Sequence, residues 1–188
     1  MSNAQFSNVF RAKPANLEDI DLKKKWKNKR EELIICMVMA GILVYTICFG
    51  HHPISGYSME PTYHDGQRTL SIRPYIGDYQ QGDVVIAQCG SRNYLLIKRV
   101  AATPGDTLII NADGTVYVNG EEYTYGVGDA TVSPSFGNMS IRADGSYEIT
   151  LGDNEYFLMG DNRENSADSR MYGPFKRTSI WEKVIAVY

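Results

Sequence analysis

The chain has 188 residues and a mass of 21.1 kDa, enough for one ordinary domain and hardly for two. With 43% hydrophobic and 22% charged residues, a wholly disordered chain is excluded, and a formal net charge of −3 argues against a general nucleic-acid binder. Cys36, Cys48 and Cys89 are too few for a disulfide framework and lack the C-x-x-C spacing of zinc or redox sites.

The charge is unevenly spread. Residues 1–32 hold eight Lys or Arg against five Asp or Glu, a net of +3, which leaves −6 for the remainder. Met1 to Ala15 has no hydrophobic period and reads as a flexible tail. Asn16 is a candidate cap for a helix that carries Glu18 and Asp19 in its first turn. Leu33 to Phe49, LIICMVMAGILVYTICF, then runs without a single charge. As a helix this stretch is about 26 Å long, close to the hydrocarbon thickness of a bilayer, and it lacks the polar stripe of a core helix. Lys23, Lys24, Lys25, Lys27, Lys29 and Arg30 crowd its N-terminal side, and the next basic residue is Arg68. Positive flanks stay in the cytoplasm. The expected organisation is therefore a cytoplasmic tail and basic juxtamembrane helix over 1–32, with Trp26 at headgroup level, then a transmembrane anchor over 33–50. A domain outside the cytoplasm over 51–188 follows.

That third part reads as strands. DVVIAQ (83–88), NYLLIKRV (93–100), DTLIIN (106–111), TVYVNG (115–120), EYFLMG (155–160) and EKVIAVY (182–188) are short runs rich in Val, Ile, Leu and Tyr. Asp113-Gly114, Asn119-Gly120 and Asp144-Gly145 are hairpin turn pairs. The stretch 121–150 is Gly-, Ser- and Tyr-rich with weak periodicity and reads as an excursion or flap, with a chance-frequency glycosylation triplet at Asn138. The expected fold is mainly β: an antiparallel, barrel-like sheet domain on a single N-terminal transmembrane helix.

Four segments are stranger than structure alone requires. In Gly56-Tyr57-Ser58-Met59-Glu60-Pro61-Thr62, a serine in a turn with a fixed backbone can present Oγ and leave N–H groups free for an oxyanion; a turn serine also serves as a local hydrogen bonder. In Leu95 to Val100, strand alternation puts Lys98 on one face and Arg99 on the other, so one of the two shares a face with apolar neighbours. A lysine so placed tends to lose its proton and can act as general base towards Ser58, although its stem can also snorkel to solvent. Thr103-Pro104-Gly105-Asp106 is a direction-setting turn. Gly160 to Arg170 is dense in charge directly after an apolar run; its Asp and Arg residues can interlock, and Ser166 can orient the Lys98 amine. His51, His52 and His64 have no evident acid behind them, so a His-based triad is unmet, and adjacent His51 and His52 lack partners for a metal site.

In order, SMEPT, QGDVVI, IKRVAATPGD and GDNRENSADSR resemble the conserved boxes of type I signal peptidases, over about residues 54–173. The resemblance implies a serine endopeptidase that removes N-terminal signal peptides from exported preproteins, with small residues at the first and third positions before the cut. Ser58 is implied as nucleophile and Lys98 as general base. The Ser58 N–H would serve the oxyanion hole, and Ser166 would hydrogen-bond the lysine. Asp168 would pair with Arg170 or Arg99, Asp161 would brace the loop, and Met59 and Pro61 would shape the nucleophile turn and the approach to the membrane. Gly56 stands where some members carry a serine whose hydroxyl is a second oxyanion donor, which matches the short, single-anchor branch and leaves that donor undecided. No metal or organic cofactor is implied. The implied partners are preproteins, the lipid bilayer and a nearby secretion translocon, with no nucleic acid.

Two rival readings remain. A self-cleaving Ser/Lys regulator would share the dyad but carry a DNA-binding, cytoplasmic partner domain. An inactive, membrane-tethered binding module would have no need of both Ser58 and Lys98.

Overall fold

A computed structural model describes residues 17–73, 77–90, 94–128 and 139–188. The N-terminal tail, the Asn16 cap and the Asn138 triplet lie outside them. Helix α1 spans Leu17–Cys48, about 48 Å at the usual rise. Within it, Lys24–Cys48 is long and apolar enough to cross a membrane, with a mean hydropathy of 2.0 over its most apolar window, and its side chains, Trp26 included, are exposed up to the half-buried Cys48. The helix stops one residue short of the expected apolar run: Phe49 and Gly50, read as part of the span, open the first strand. Gly50 is buried there, directly against the Glu182 and Ser71 side chains, where any larger residue would collide.

Among the described residues twelve strands follow. β1 (Phe49–Pro53), β2 (Arg68–Ile72), β3 (Val84–Gln88), β4 (Leu95–Ala102), β5 (Thr107–Ile110) and β6 (Val116–Val118) come first. After them come β7 (Glu121–Glu122), β8 (Ser140–Ile141), β9 (Tyr147–Thr150), β10 (Glu155–Met159), β11 (Phe175–Lys176) and β12 (Ile180–Val187), with the one-turn helix α2 (Ser169–Tyr172) between β10 and β11. They form a seven-stranded sheet, ordered β1-β2-β12-β3-β4-β10-β11, and a five-stranded sheet, ordered β7-β6-β5-β9-β8. Every pairing between these strands is antiparallel. The chain is mainly β with a curled, antiparallel sheet and an N-terminal apolar helix, as expected.

All six expected strands form, within a few residues of their expected ends. Of the stretch 121–150, read as an excursion, residues 129–138 lie outside the described ones; at its end Tyr147–Thr150 pairs with β5 through a full four-residue register. The Asp113-Gly114 pair closes the β5–β6 hairpin, with Gly114 at φ 86° and its N–H donating to Asn111 O, a backbone region that costs glycine nothing.

The large sheet is covered on both faces. Along β3, Val85 and Ala87 pack with Val100, Tyr156 and Leu158 on one side, while Val84 and Ile86 pack with Met59 and Val184 on the other. Two-sided burial explains why β3 reads VVIA rather than alternating with polar residues. Both cations of β4, one of which was expected on an apolar face, are enclosed by it: Lys98, Arg99, Val100, Ala101 and Ala102 are all buried.

Candidate active site

Ser58 sits on the turn between β1 and β2, and three contacts hold that turn in place. Met59, 1% exposed, is inserted into the cluster of Val84, Ile86 and Val184, so it anchors the turn to the core. The Gly56 N–H donates to Asp65 Oδ1 at 2.8 Å, with Gly56 at φ 90° where a side chain would be strained. From behind, the Ser58 carbonyl accepts the Asn162 N–H at 3.1 Å. Pro61 is exposed. Among the described residues the Ser58 N–H has no hydrogen-bond acceptor, so it is available to a bound oxyanion.

Lys98 comes from the middle of β4. Its side chain is 3% exposed, and Nζ lies 2.7 Å from Ser58 Oγ while donating to the Ile97 carbonyl at 3.0 Å. Burial dominates its titration and pushes its pKa from 10.5 down to about 8. The charge of Asp168 works against that fall, Arg170 adds to it, and Asp161 opposes it more weakly. Among the described residues no carboxylate forms an ion pair with the amine; Asp168 and Asp161 are each committed elsewhere. A neutral amine at this distance from a hydroxyl can accept its proton.

The neighbouring cation is treated differently. Arg99 is buried as well, yet its Nε and Nη2 donate to the two carboxylate oxygens of Asp161 at 2.8 and 2.6 Å, a bidentate pairing that satisfies both charges. Arg99 also donates to Gly82 O and stacks over the Tyr125 ring at 4.9 Å. Asp161 therefore braces the strand that carries Lys98 as well as its own loop.

The fully buried Asp168 caps α2 and pairs with Arg170 on that helix. One of its oxygens accepts from Arg170 Nε at 2.9 Å; the other accepts Arg170 Nη2 and the Gly160 N–H, both at 2.9 Å. Arg170 reaches on to the Arg163 carbonyl at 2.7 Å. The alternative pairing of Asp168 with Arg99 is thereby excluded.

Ser166 departs from what the resemblance implied. Its Oγ is buried without a hydrogen-bond partner among the described residues, and it makes no bond to Lys98; the partners of the amine are Ser58 and Ile97. Ser166 lies against Gly160, and there the structure exposes a residue that sequence reasoning passed over. A Cβ at Gly160 would collide with the Ser166 side chain and stand 2.5 Å from the Ser58 carbonyl oxygen. Only a glycine lets this loop close behind the serine. The signal was present as a glycine at the end of an apolar strand, but nothing local says which backbone would approach it.

The histidines also differ from expectation, since acids do stand behind two of them. His52 Nε2 lies 2.9 Å from Glu182 Oε2, and His64 Nδ1 lies 3.3 Å from Glu60 Oε1. Neither imidazole is the partner of Ser58 Oγ, which is Lys98, so no His-based triad results. Cys89 is a buried core residue.

Ser58 and Lys98 open into a groove of about 340 Å³. Its walls are largely apolar, with Ile54, Met59, Ile86, Leu96 and Ile97 among the lining residues, and His52 joins them. A largely apolar groove beside a hydroxyl and a deprotonatable amine suits a peptide substrate.

The family model for signal peptidase, peptidase S26, matches residues 27–188. The chain belongs to the signal peptidase family. It is therefore a hydrolase, a serine endopeptidase. Among similar proteins, a signal peptidase I of Bacillus licheniformis is 31% identical over 160 residues, covering 79% of this chain and 83% of its own. A signal peptidase I T of Bacillus subtilis is 34% identical over 155 residues, covering 79% and 78%. A signal peptidase I from Enterococcus faecalis V583, of known crystal structure, is 28% identical and covers 59% of this chain and 99% of its own, with a TM-score of 0.41.

Proposed function

We propose that this signal peptidase removes signal peptides from exported preproteins, with Ser58 as nucleophile and neutral Lys98 as general base. The observation that carries the reading is the 2.7 Å separation of Oγ and Nζ around an amine that burial holds near a pKa of 8. With the lysine neutral, the Ser58 O–H donates to its lone pair. As Oγ attacks the carbonyl carbon before the cut, the proton passes to Nζ and the carbonyl oxygen becomes an oxyanion facing the Ser58 N–H. The ammonium then returns the proton to the leaving amine, which frees an acyl-enzyme. The neutral amine next takes a proton from water, whose oxygen attacks the ester carbon; as the ester bond breaks, the ammonium returns that proton to Ser58 Oγ and the signal peptide leaves with a new C-terminal carboxyl group. Asp161 and Asp168 act as positioning residues: the first fixes Arg99 beside the base, and the second closes the loop behind Ser58 through Gly160.

The family and the apolar stretch support a membrane location. We place residues 1–32 on the cytoplasmic side, the span over 33–50 and the catalytic region from 51 onward outside, on the basic flank of residues 23–30. Tethering confines enzyme and membrane-held substrate to one surface and raises their effective concentration. A lipid bilayer and a neighbouring translocon belong to this reading. The test is cleavage of a purified preprotein by the full-length chain in detergent: wild type cuts, and Ser58→Ala and Lys98→Ala do not. Cleavage that survives Ser58→Ala would remove the proposal.

A further inference from the structure

Six residues ahead of Ser58, a second polar cluster reaches the same groove. On β1, Gly50 and His52 share one side of the strand; Gly50 is buried against Glu182 and Ser71, and His52 lines the groove. His52 Nε2 lies 2.9 Å from Glu182 Oε2, with the carboxylate 3% exposed and the imidazole 23%. Glu182 is held from further sides: the Ser71 hydroxyl donates to the same oxygen, and Arg73 lies 3.6 Å from the other. A carboxylate accepts only, so it takes the Nε2–H and leaves Nδ1 as the remaining polar atom of the ring. Nδ1 has no partner among the described residues. The groove thus carries one oriented polar ring in a wall otherwise dominated by Ile54, Met59, Ile86, Leu96 and Ile97.

An extended peptide puts its first and third side chains before the cut on one face, about 7 Å apart. With the first beside Ser58 and Lys98, the third is the next to enter the groove. We propose that His52, oriented by buried Glu182, is a specificity-determining residue that favours a hydroxyl-bearing side chain at that third position. The inference rests on the cleavage reading above. A hydroxyl donates to Nδ1 of the neutral ring or accepts from the protonated one, so serine and threonine fit either state. An aliphatic side chain of the same shape strips water from Nδ1 and offers nothing in return.

The test uses the full-length chain in detergent and two precursor peptides that differ only by threonine or valine at the third residue before the cut. Wild type should cut the threonine peptide with a kcat/KM about three- to tenfold higher. In His52→Leu that ratio should fall to one or below, and His52→Asn should restore part of it. The same swap at the second residue, which faces away from the groove, should leave the ratio near one. A wild-type ratio at or below one, or an unchanged ratio in His52→Leu, overturns the inference, and the wild-type ratio decides even where a variant fails to fold. Cleavage of both peptides that Ser58→Ala abolishes keeps the underlying reading intact whatever the ratio; a wild type that cuts neither overturns both.

Discussion

The titration of Lys98 offers the sharpest check on the catalytic reading, with pH as the perturbation. A pKa near 8 leaves about 1% of the amine neutral at pH 6, about 10% at pH 7, about half at pH 8 and about 90% at pH 9. Where kcat/KM follows the neutral fraction of the free enzyme, it should rise about tenfold from pH 6 to 7, but less than about twofold from pH 8 to 9. A lysine left at its ordinary value would give about tenfold in both intervals. The discriminating quantity is therefore the ratio of rates at pH 9 and pH 8. It is read as kcat/KM for a precursor peptide cut by the full-length chain, at constant ionic strength. A tenfold step across that last interval, or a flat profile throughout, would refute the buried-amine argument. The shift has a stability counterpart with a definite sign. Because the folded pKa lies below the unfolded one, burying the protonated lysine costs folding about 3 kcal/mol below pH 8, and the cost disappears as pH rises from about 8 to 10.5.

Lys98→Arg should be as inactive as Lys98→Ala in precursor cleavage, because a guanidinium does not give up its proton at any working pH; appreciable turnover by the Arg variant at neutral pH would contradict the mechanism. Asp161→Asn removes the negative partner of buried Arg99 and should destabilise the protein by about 3 kcal/mol, measured as denaturant unfolding in detergent. Gly160→Ala drives a methyl group into the Ser58 carbonyl oxygen. A displacement of about 1 Å in the nucleophile costs about a hundredfold in rate, so kcat should fall by that order while the unfolding transition persists.

Much was legible in the chain itself. The uncharged run after a basic cluster marks a segment fit for a bilayer, and the β-branched runs between Asp-Gly and Asn-Gly pairs mark strands and hairpins, because these are local properties of composition and backbone preference. Strands β1 and β2 escaped notice, since FGHHP has no apolar period and RTLSI buries Thr69 and Ser71 rather than its leucine and isoleucine; their place depends on partners fifteen or more residues away. The stop of α1 at Cys48 has the same origin, because Gly50 is required by Glu182, which lies far along the chain.

The residue types of the site, a turn serine and a strand lysine followed by a loop of alternating acids and arginines, were set by the sequence alone. Which groups meet was decided by tertiary structure. Two adjacent cations on β4 are chemically alike until the fold gives Asp161 to Arg99 and only a hydroxyl and a carbonyl to Lys98. Packing both faces of the sheet is what makes that difference matter: a charge removed from water keeps its proton beside a carboxylate and tends to lose it without one.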